Sequence, residues 1–314
     1  MNGYATPLFS RADLVVSQHY DPSNRATIYL GDCLDLMSDM PEQSVQLAIT
    51  SPPYNIGKAY EDVMDLEAYR DQQDQVIAAC DRILRPTGSI CWQVGNYVDG
   101  GEIVPLDIIL YESFKRRGYK LRNRIIWHFG HGLHCKNRFS GRYETILWFT
   151  KSDDYYFDLD PVRVPQKYPG KRHFKGEKRG QLSGNPLGKN PSDVWDIPNV
   201  KANHIEKTDH PCQFPVSLVQ RLVLSMSQPD DLVFDPFLGA GTTAVAALLN
   251  RRRIAGAELM EAYHKIAMDR VKKTLSGEIK VRADKPVYKP EPTSKLARNQ
   301  WTGEELSAQQ ELGL

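Results

Sequence analysis

A glycine-containing turn between two apolar segments places the strongest constraint on how this chain folds. Residues 232–237 read LVFDPF, residues 238–243 read LGAGTT, and residues 244–250 read AVAALLN. Apolar runs on both sides of such a turn predict a buried strand followed by a helix. Another apolar strand, RIAGAEL, follows at residues 253–259. The segment therefore predicts a strand–helix–strand unit of a parallel sheet, with helices on both faces.

The turn itself predicts a site for an anionic group, although glycines also occur in such turns for structural reasons alone. Gly239 and Gly241 allow the backbone to turn tightly beneath a ligand. Thr242 and Thr243 stand where the helix begins, so the backbone N–H groups and the threonine hydroxyls face the ligand. Glu258, near the end of the next strand, suits the hydroxyls of a ribose. The turn lacks the lysine of a phosphate-binding loop and the spacing of a dinucleotide fold. These residues favour a nucleoside that carries a smaller anion, such as a carboxylate.

A second turn, TSPPYN at residues 50–55, follows another short apolar strand. Because prolines lack an N–H group, this backbone offers carbonyl acceptors on a rigid frame, and Ser51 adds a hydroxyl acceptor. Ser51, Pro52 and the flat face of Tyr54 would hold a planar ring that bears an amino group. Taken alone, the turn is equally well a strand terminator beside a core tyrosine. The presence of the glycine turn and Glu258 in the same chain favours the interpretation as a binding site.

Strands and helices alternate along most of the chain. Apolar residues at helical spacing predict a helix from about 66 that ends at Pro86-Thr87-Gly88. Further helices are predicted over 105–117, 215–226 and 260–275, and strands over 26–30, 45–50, 89–95, 122–128 and 144–150. The fold class is therefore α/β, with a doubly wound, mostly parallel sheet. From about 153 to 208 prolines and glycines replace this periodicity, which predicts an irregular insertion.

The chain has 40 Lys+Arg and 39 Asp+Glu, a net charge of +1. Although the whole chain is nearly neutral, one segment is strongly basic. Residues 163–181 hold seven basic residues and one acid, interleaved with aromatic residues and glycines. Such a segment suits a surface that meets phosphate groups, although a run of charge is often only a solvated loop. Its basic residues are Arg163, Lys167, Lys171, Arg172, Lys175, Lys178 and Arg179.

Composition argues against several other classes of protein. A balance of 41% hydrophobic and 25% charged residues is not that of a disordered or fibrous chain. No apolar run approaches the roughly 18 residues of a membrane span, and the first residues have no secretory apolar core. Five cysteines without a CxxC pair argue against a disulfide framework and a cysteine-rich zinc site. We expect a cytoplasmic protein with no membrane partner and no metal.

The two turns together resemble those of a known family, the amino-group DNA methyltransferases that act on N4 of cytosine or N6 of adenine. The catalytic motif of that family, (D/N/S)-P-P-(Y/F), corresponds to residues 51–54, and its S-adenosylmethionine motif, D-P-F-x-G-x-G-T-T, to residues 235–243. The resemblance covers about residues 26–275, and residues 141–151 resemble a family strand near the catalytic site. The catalytic motif comes first, as in the circularly permuted β group, whose target-recognition region lies between the two motifs.

The resemblance implies a role for each motif residue. Asp32 and Phe237 would contact the adenosyl group of S-adenosylmethionine, Glu258 its ribose, and Asp235 with the glycine turn its methionine end. The full cofactor set would be Asp32, Asp235, Phe237, Gly239, Gly241, Thr242, Thr243 and Glu258. A base flipped out of duplex DNA would meet the catalytic set, Ser51, Pro52, Pro53 and Tyr54. The basic segment would bind the DNA.

The resemblance also implies a division of the chain and a set of partners. Residues 1–152 would form the catalytic half of a methyltransferase domain, 153–207 the target-recognition region, 208–280 the cofactor-binding half and 281–314 a tail. The main partner would be double-stranded DNA. A cognate restriction endonuclease that acts separately, and a second copy of the chain in a homodimer, are further partners that the family allows.

The first residue of the catalytic motif bears on the target base. Serine there is typical of the N4-cytosine enzymes, whereas Asp or Asn is commoner in the N6-adenine enzymes, so Ser51 favours N4 of cytosine. N6 of adenine is the alternative, because both targets are aromatic amines whose hydrogen bonds a hydroxyl or a carboxylate can accept. Methylation of RNA and a non-catalytic DNA-binding protein are more remote alternatives.

Two other groups of residues receive structural interpretations. Pro211-Cys212 has the composition of a C5-cytosine nucleophile, but in those enzymes the pair follows the cofactor motif, and here it precedes it. We expect Cys212 to be a small buried residue. The cluster of His128, His131, His134 and Cys135 matches no standard zinc spacing. We expect it to form a loop beside the DNA or the catalytic pocket.

Overall fold

The computed structural model describes residues 16–55, 64–130, 132, 134–166 and 171–283. A nine-stranded sheet runs through this part of the chain. The strands are β1 (Val16–Ser17), β2 (Ala26–Leu30), β3 (Val45–Thr50), β4 (Leu84–Val94), β5 (Asn96–Asp99), β6 (Glu102–Pro105), β7 (Lys120–His128), β8 (Tyr143–Thr150), β9 (Val194–Asp196), β10 (Leu232–Asp235) and β11 (Arg253–Glu258). The helices are α1 (Cys33–Asp39), α2 (Leu66–Ile83), α3 (Leu106–Lys115), α4 (Val216–Met226), α5 (Thr242–Leu249) and α6 (Glu261–Leu275), with a 3₁₀ helix at Asp160–Val162.

The strand order confirms a mostly parallel α/β sheet. The order is β1-β2-β11-β10-β3-β4-β8-β7-β9, and β5 and β6 form a separate hairpin. Neighbouring strands run parallel except where β8 meets β4 and β7, because β8 runs in the direction opposite to both. Strands in the parallel part are covered on both faces, which explains why all six residues of β3 are buried.

Helices cover the two faces of this sheet and form two apolar cores. Leu222 of α4, Val245 of α5 and Val271 of α6 belong to the core on one face. Leu36 of α1 and Ile77 of α2 belong to the core on the other face, which α3 completes. Because α5 is buried at residues 242–248, it reads as an unbroken apolar run rather than as an amphipathic helix. The doubly wound arrangement predicted for the chain is therefore confirmed.

The two predicted turns meet at the centre of the sheet. β3 and β10 pair with each other, yet the chain leaves β3 toward β4 and leaves β10 toward β11 on the opposite side. Connections that diverge in this way open a crevice above the carboxyl ends of the two strands, where open α/β sheets bind ligands. The turn at 51–55 follows β3, and the glycine turn follows β10. The topology therefore places both turns at one edge of the sheet.

Two local features differ from the sequence expectation. Helix α2 ends at Ile83, before Pro86, because Leu84 has extended backbone angles and already pairs with Val45 of β3. The hairpin of β5 and β6 was not predicted. Its two-residue turn consists of Gly100 and Gly101, both with positive φ, which suits the turn that a tight hairpin requires.

The described residues of the predicted insertion are largely irregular and include one strand of the sheet. Strand β9 adds to the edge of the sheet beside β7, and isolated bridges join Val164 to Lys189 and Arg172 to Leu182. Residues 284–314, most of the predicted tail, lie outside the described residues, as do Lys167 and His131. Within the described part of the chain, no helix has the length and apolar character needed to cross a membrane.

Candidate active site

A cavity of about 360 Å³ lies at the shared edge of the sheet. Ser51–Asn55 line one side of it, and Phe237–Ala240 with Thr242 line the other. Two further predicted site residues also line it: Asp32, which follows β2, and Glu258, at the end of β11. The structure therefore brings both motifs to a single cavity, although Asp235, Gly241 and Thr243 of the cofactor set lie behind its wall.

Asp235 joins the two motifs beneath the cavity. Its carboxylate accepts hydrogen bonds from the hydroxyls of Thr50 (2.7 Å) and Thr243 (2.6 Å) and from the N–H of Phe237 (3.1 Å). The side chain is fully buried, and this burial raises its pKa to about 6. Thr50 directly precedes Ser51, so one carboxylate holds the turn at 51–55 and the start of α5 in a fixed relation. Asp235 acts here through its neighbours rather than by facing the cavity.

The glycine turn owes its shape to two residues with left-handed backbone angles. Gly239 has a φ of +54°, and a Cβ there would lie 3.1 Å from the ring of His210. Gly241 has a φ of +72°, and a Cβ there would lie 3.0 Å from both Cα and Cβ of Ala267 on α6. Arg270 of α6 supports the turn, because its buried guanidinium donates to the carbonyl of Ala240 (2.6 Å) and to the hydroxyl of Thr242 (3.0 Å).

Gly241 offers a direct test of this close packing. Gly241→Ala is expected to lower the free energy of unfolding by about 2–4 kcal/mol, the sum of left-handed strain and overpacking against α6. Gly118→Ala is the matched control, since Gly118 has a φ of +78° and a Cβ at that position would meet nothing within 4 Å; strain alone should cost it about 1 kcal/mol. Urea unfolding of both variants measures the difference, and equal losses would contradict the contact with α6.

Glu258 and Asp32 hold the backbone around the far end of the cavity. Glu258 accepts from the N–H of Gly239 (2.9 Å) with Oε2 and from the N–H of Met260 (2.8 Å) with Oε1. Partial burial raises the pKa of Glu258 above its ordinary value. Asp32 caps the N-terminus of α1 by accepting from the N–H of Leu34 (2.8 Å). A carboxylate has about four lone-pair sites, so Glu258 can still accept from a further donor.

On the opposite side of the cavity, hydrogen bonds fix the turn at Ser51–Asn55. The hydroxyls of Ser51 and Tyr54 are 3.0 Å apart, and Tyr54 donates to Oε2 of Glu144 (3.3 Å) on β8. Tyr69 of α2 donates to the carbonyl of Pro53 (3.0 Å). Asn55, whose φ is +59°, exchanges two hydrogen bonds with the backbone of Met64.

Three residues of the site were given no role in the sequence analysis. Thr50 and Glu144 contact Asp235 and Tyr54, as described above. His210 lines the cavity, packs edge-to-face against Tyr263 (4.4 Å between ring centroids), and has its pKa lowered to about 4 by burial. A signal did exist for Glu144, because it is the one acid among the mostly apolar residues of its predicted strand.

Cys212 corrects one sequence expectation. It is exposed rather than buried, and it lines the same cavity as Tyr54. The segment 208–213 reaches this position because Thr208 and the backbone of Glu206 hydrogen-bond to the side chain of Gln213. These bonds keep the segment in a loop over the cavity edge, where periodicity carries no information about burial.

The remaining candidate residues lie away from the cavity. Lys171, Arg172, Lys175, Lys178 and Arg179 are exposed. Arg163 is partly buried and pairs with Asp160 (2.6 Å). His128 forms a hydrogen bond with Asp196 of β9. Within the described residues, no group of three or more His, Cys, Asp or Glu side chains is placed to hold a metal ion.

Comparison with known proteins identifies the family. The model of the DNA methylase family matches residues 45–269. The type II methyltransferase M.BglII from Bacillus subtilis is 52% identical over 252 residues, which are 80% of this chain and 69% of that protein. The DNA adenine methyltransferase YhdJ from Escherichia coli (strain K12) is 30% identical over 250 residues, 78% of this chain and 82% of that protein.

Two solved structures share the fold. The PvuII DNA methyltransferase (cytosine-N4-specific) matches with a TM-score of 0.62 and 22% identity, over 81% of this chain and 93% of that chain. TTHA0409 from Thermus thermophilus, in complex with S-adenosyl-L-methionine, matches with a TM-score of 0.56 and 27% identity, over 80% of this chain and 96% of that chain. The family match and the relatives above show that the chain belongs to the DNA methylase family and is an amino-group DNA methyltransferase of the N4/N6 type.

Proposed function

We propose that this enzyme transfers a methyl group from S-adenosylmethionine to the exocyclic N4 amino group of cytosine in a base flipped out of duplex DNA. The observation that carries the proposal is the single cavity that Ser51 and Tyr54 share with Gly239 and Glu258. A planar amine held by the first pair lies beside a nucleoside held by the second pair. This juxtaposition is what a direct methyl transfer requires.

The residues on the cofactor side fit S-adenosylmethionine. The missing side chain at Gly239 leaves a space that a Cβ would fill, and the Glu258 carboxylate, which lines the cavity, would accept from a ribose hydroxyl. Phe237 and Met260 give that part of the cavity apolar walls for an adenine ring. When bound, S-adenosylmethionine supplies an electrophilic methyl group on a sulfonium. Complex formation by TTHA0409, which has the same fold, supports the same assignment here.

The residues on the catalytic side position the base. The hydroxyl of Ser51 and the carbonyl of Pro52 would accept the two hydrogens of the amino group, and Tyr54 would stack on the ring. Accepting these hydrogens draws the nitrogen toward tetrahedral geometry and aims its lone pair at the methyl group. Tyr69 holds the backbone of this turn in place through the carbonyl of Pro53. Extracting the base from the duplex costs a few kcal/mol, which stacking on Tyr54 partly offsets.

Serine at position 51 supports cytosine as the target base. One observation favours a second candidate, N6 of adenine, because the relative YhdJ carries the name of a DNA adenine methyltransferase. Incubation of unmethylated DNA with the protein and S-adenosylmethionine, followed by digestion and mass spectrometry of the nucleosides, distinguishes the two. N4-methylcytosine is the expected product. N6-methyladenine would retain the mechanism and overturn the choice of base, and the absence of both would overturn the proposal.

The exposed basic residues of the insertion support a role of this segment in binding DNA. They would contact phosphates, with the segment 153–207 as the target-recognition region and residues 1–152 and 208–280 as the two halves of the catalytic domain. The name of M.BglII, a type II methyltransferase, supports a restriction endonuclease as a separately acting partner.

Neutralising the DNA surface gives a quantitative test. Lys171, Arg172, Lys178 and Arg179 are exposed, and their replacement by glutamine is expected to weaken DNA binding. The slope of log K against log salt should fall by about 0.9 for each phosphate that the variant no longer neutralises. Fluorescence anisotropy at several salt concentrations measures this slope. The control replaces Lys265 and Lys272 of α6, and an unchanged slope in the fourfold variant would move the DNA surface elsewhere.

A further inference from the structure

A line of hydrogen bonds leads from the catalytic turn to a carboxyl group on another strand. Ser51 Oγ lies 3.0 Å from the hydroxyl of Tyr54, and that hydroxyl donates to Glu144 Oε2 at 3.3 Å. Glu144 lies near the start of β8, 90 residues from Tyr54 in the sequence. The catalytic hydroxyl is thus connected to a partly buried acid.

The direction of these bonds follows from counting protons. A tyrosine hydroxyl has one proton, and when Glu144 is ionised that proton is donated to its carboxylate. The oxygen of Tyr54 must therefore accept the proton of Ser51 in the bond between them. Both lone pairs of Ser51 then remain for the amino group of a base, so every donor along the line points away from the cavity and toward Glu144.

The surroundings of Glu144 suit a group that changes its protonation state. Burial raises the pKa of Glu144 to about 7, while the pKa of Tyr54 is raised well above its ordinary value by burial and by the charge of Glu144. Tyr54 can therefore transfer a proton to Glu144 without remaining as a phenolate. The groups that face Glu144 are Tyr54 and, from β4, the uncharged amide of Gln93, which donates to the same oxygen; Trp127 of β7 pairs with it in register. Charge interactions with Cys212 and Tyr69 raise the pKa of Tyr54 rather than that of Glu144.

We propose that Glu144 is the final acceptor of the proton that the methylated amino group must lose, with Ser51 and Tyr54 as the relay. This inference rests on the proposed methyl transfer. In that step the nitrogen lone pair forms the N–C bond, and the C–S bond breaks with its electrons going to sulfur, which leaves a positive charge on nitrogen. An N–H proton then moves to Ser51 Oγ as the proton of Ser51 moves to Tyr54 and that of Tyr54 to Glu144. The nitrogen keeps the bonding electrons and becomes neutral, and the carboxylate becomes a carboxylic acid that later releases its proton to water.

Glu144→Gln tests the relay, because an amide has nearly the same shape and accepts no proton. The rate of a single turnover is measured from pH 5.5 to 9 with saturating S-adenosylmethionine and substrate DNA. Since the relay needs the carboxylate, the rate of the wild-type enzyme should fall as the pH drops through about 7. The variant should be about 100-fold slower at pH 8. Its rate should also lack the fall below about pH 7, which is the acid limb of the pH profile. Glu112→Gln, on the exposed part of α3, is the matched control and should keep both rate and limb.

Readouts other than turnover separate a proton acceptor from a merely structural residue. Calorimetry should find the same affinity for S-adenosylmethionine in wild type and Glu144→Gln. Infrared titration of the protein without DNA should show a carboxyl group that protonates near pH 7 and is missing in the variant. Gln93→Met removes a hydrogen bond that lowers the pKa of Glu144, so it should move the acid limb to higher pH, a shift that does not require the Glu144 variant to fold.

The outcomes separate the relay from the proposed function. If the wild-type enzyme methylates DNA and Glu144→Gln keeps the same rate or the same acid limb, the relay is wrong and the methyl transfer stands. An acid limb that does not move in Gln93→Met also overturns it. If the wild-type enzyme produces no methylated nucleoside, the proposed function fails, and the relay fails with it.

Discussion

Replacing Asp235 with alanine is expected to lower the affinity for S-adenosylmethionine by about 100-fold or more, and with it all turnover at ordinary cofactor concentrations. The carboxylate accepts from Thr50, Thr243 and Phe237 in a fully buried position. Removing it leaves three donors without an acceptor, at about 1–3 kcal/mol for each. The start of α5 and the catalytic turn then lack the group that holds them in register. Calorimetric titration with S-adenosylmethionine measures the affinity directly.

Asp231 provides the control for this variant, because it lies just before the opposite end of the same strand. Its carboxylate pairs with Arg85 (2.8 Å) and accepts from the N–H of Gln228 (2.7 Å). Asp231→Ala should lower stability without changing the affinity for S-adenosylmethionine. Thr243→Val, which removes one of the three donors, should give an intermediate loss of affinity. Equal affinities of Asp235→Ala and the wild-type enzyme would refute the assignment of Asp235 to the cofactor side.

Replacing Tyr54 with alanine is expected to reduce single-turnover methylation by about 1,000-fold while the affinity for S-adenosylmethionine stays the same. The stacking face for the target base, worth about 1–3 kcal/mol, and the hydroxyl that joins Ser51 to Glu144 are removed together. Tyr54→Phe separates the two effects, because it keeps the face and removes only the hydroxyl. Its loss of rate should match that of Glu144→Gln if both act in one relay.

Tyr143→Ala is the control for this second variant. Tyr143 precedes Glu144 on β8, is 43% exposed, and does not line the cavity, so its removal should leave the single-turnover rate unchanged. Thermal unfolding of each variant checks that the fold is intact. A Tyr54→Ala enzyme that methylates at the wild-type rate would remove Tyr54 from the catalytic set, and one that no longer binds S-adenosylmethionine would show that Tyr54 acts through the structure of the cavity.

Much of the fold followed from the order of apolar and turn residues. The buried strand at 232–235 and the helix that begins at Thr242 were readable from LVFDPFLGAGTT, because a buried parallel strand and a buried helix each give an apolar run and the glycines mark the turn between them. The reversed direction of β8 was not readable, since an apolar strand has the same pattern in either direction. Likewise, Cys212 carried no sign of its exposure, because loop residues have no period.

The residues that could form a site were recognisable from local chemistry alone, in the turn at 51–55, the glycine turn and Glu258. How these residues act together depends on the folding of distant segments against one another. Pairing of β3 with β10 places Thr50 against Asp235, 185 residues away, and pairing of β4 with β8 places Glu144 beside Tyr54. Periodicity indicates whether a residue is buried, whereas its neighbour across the sheet depends on the order of the strands. Hydrogen bonds between distant segments turned two separate motifs into one site.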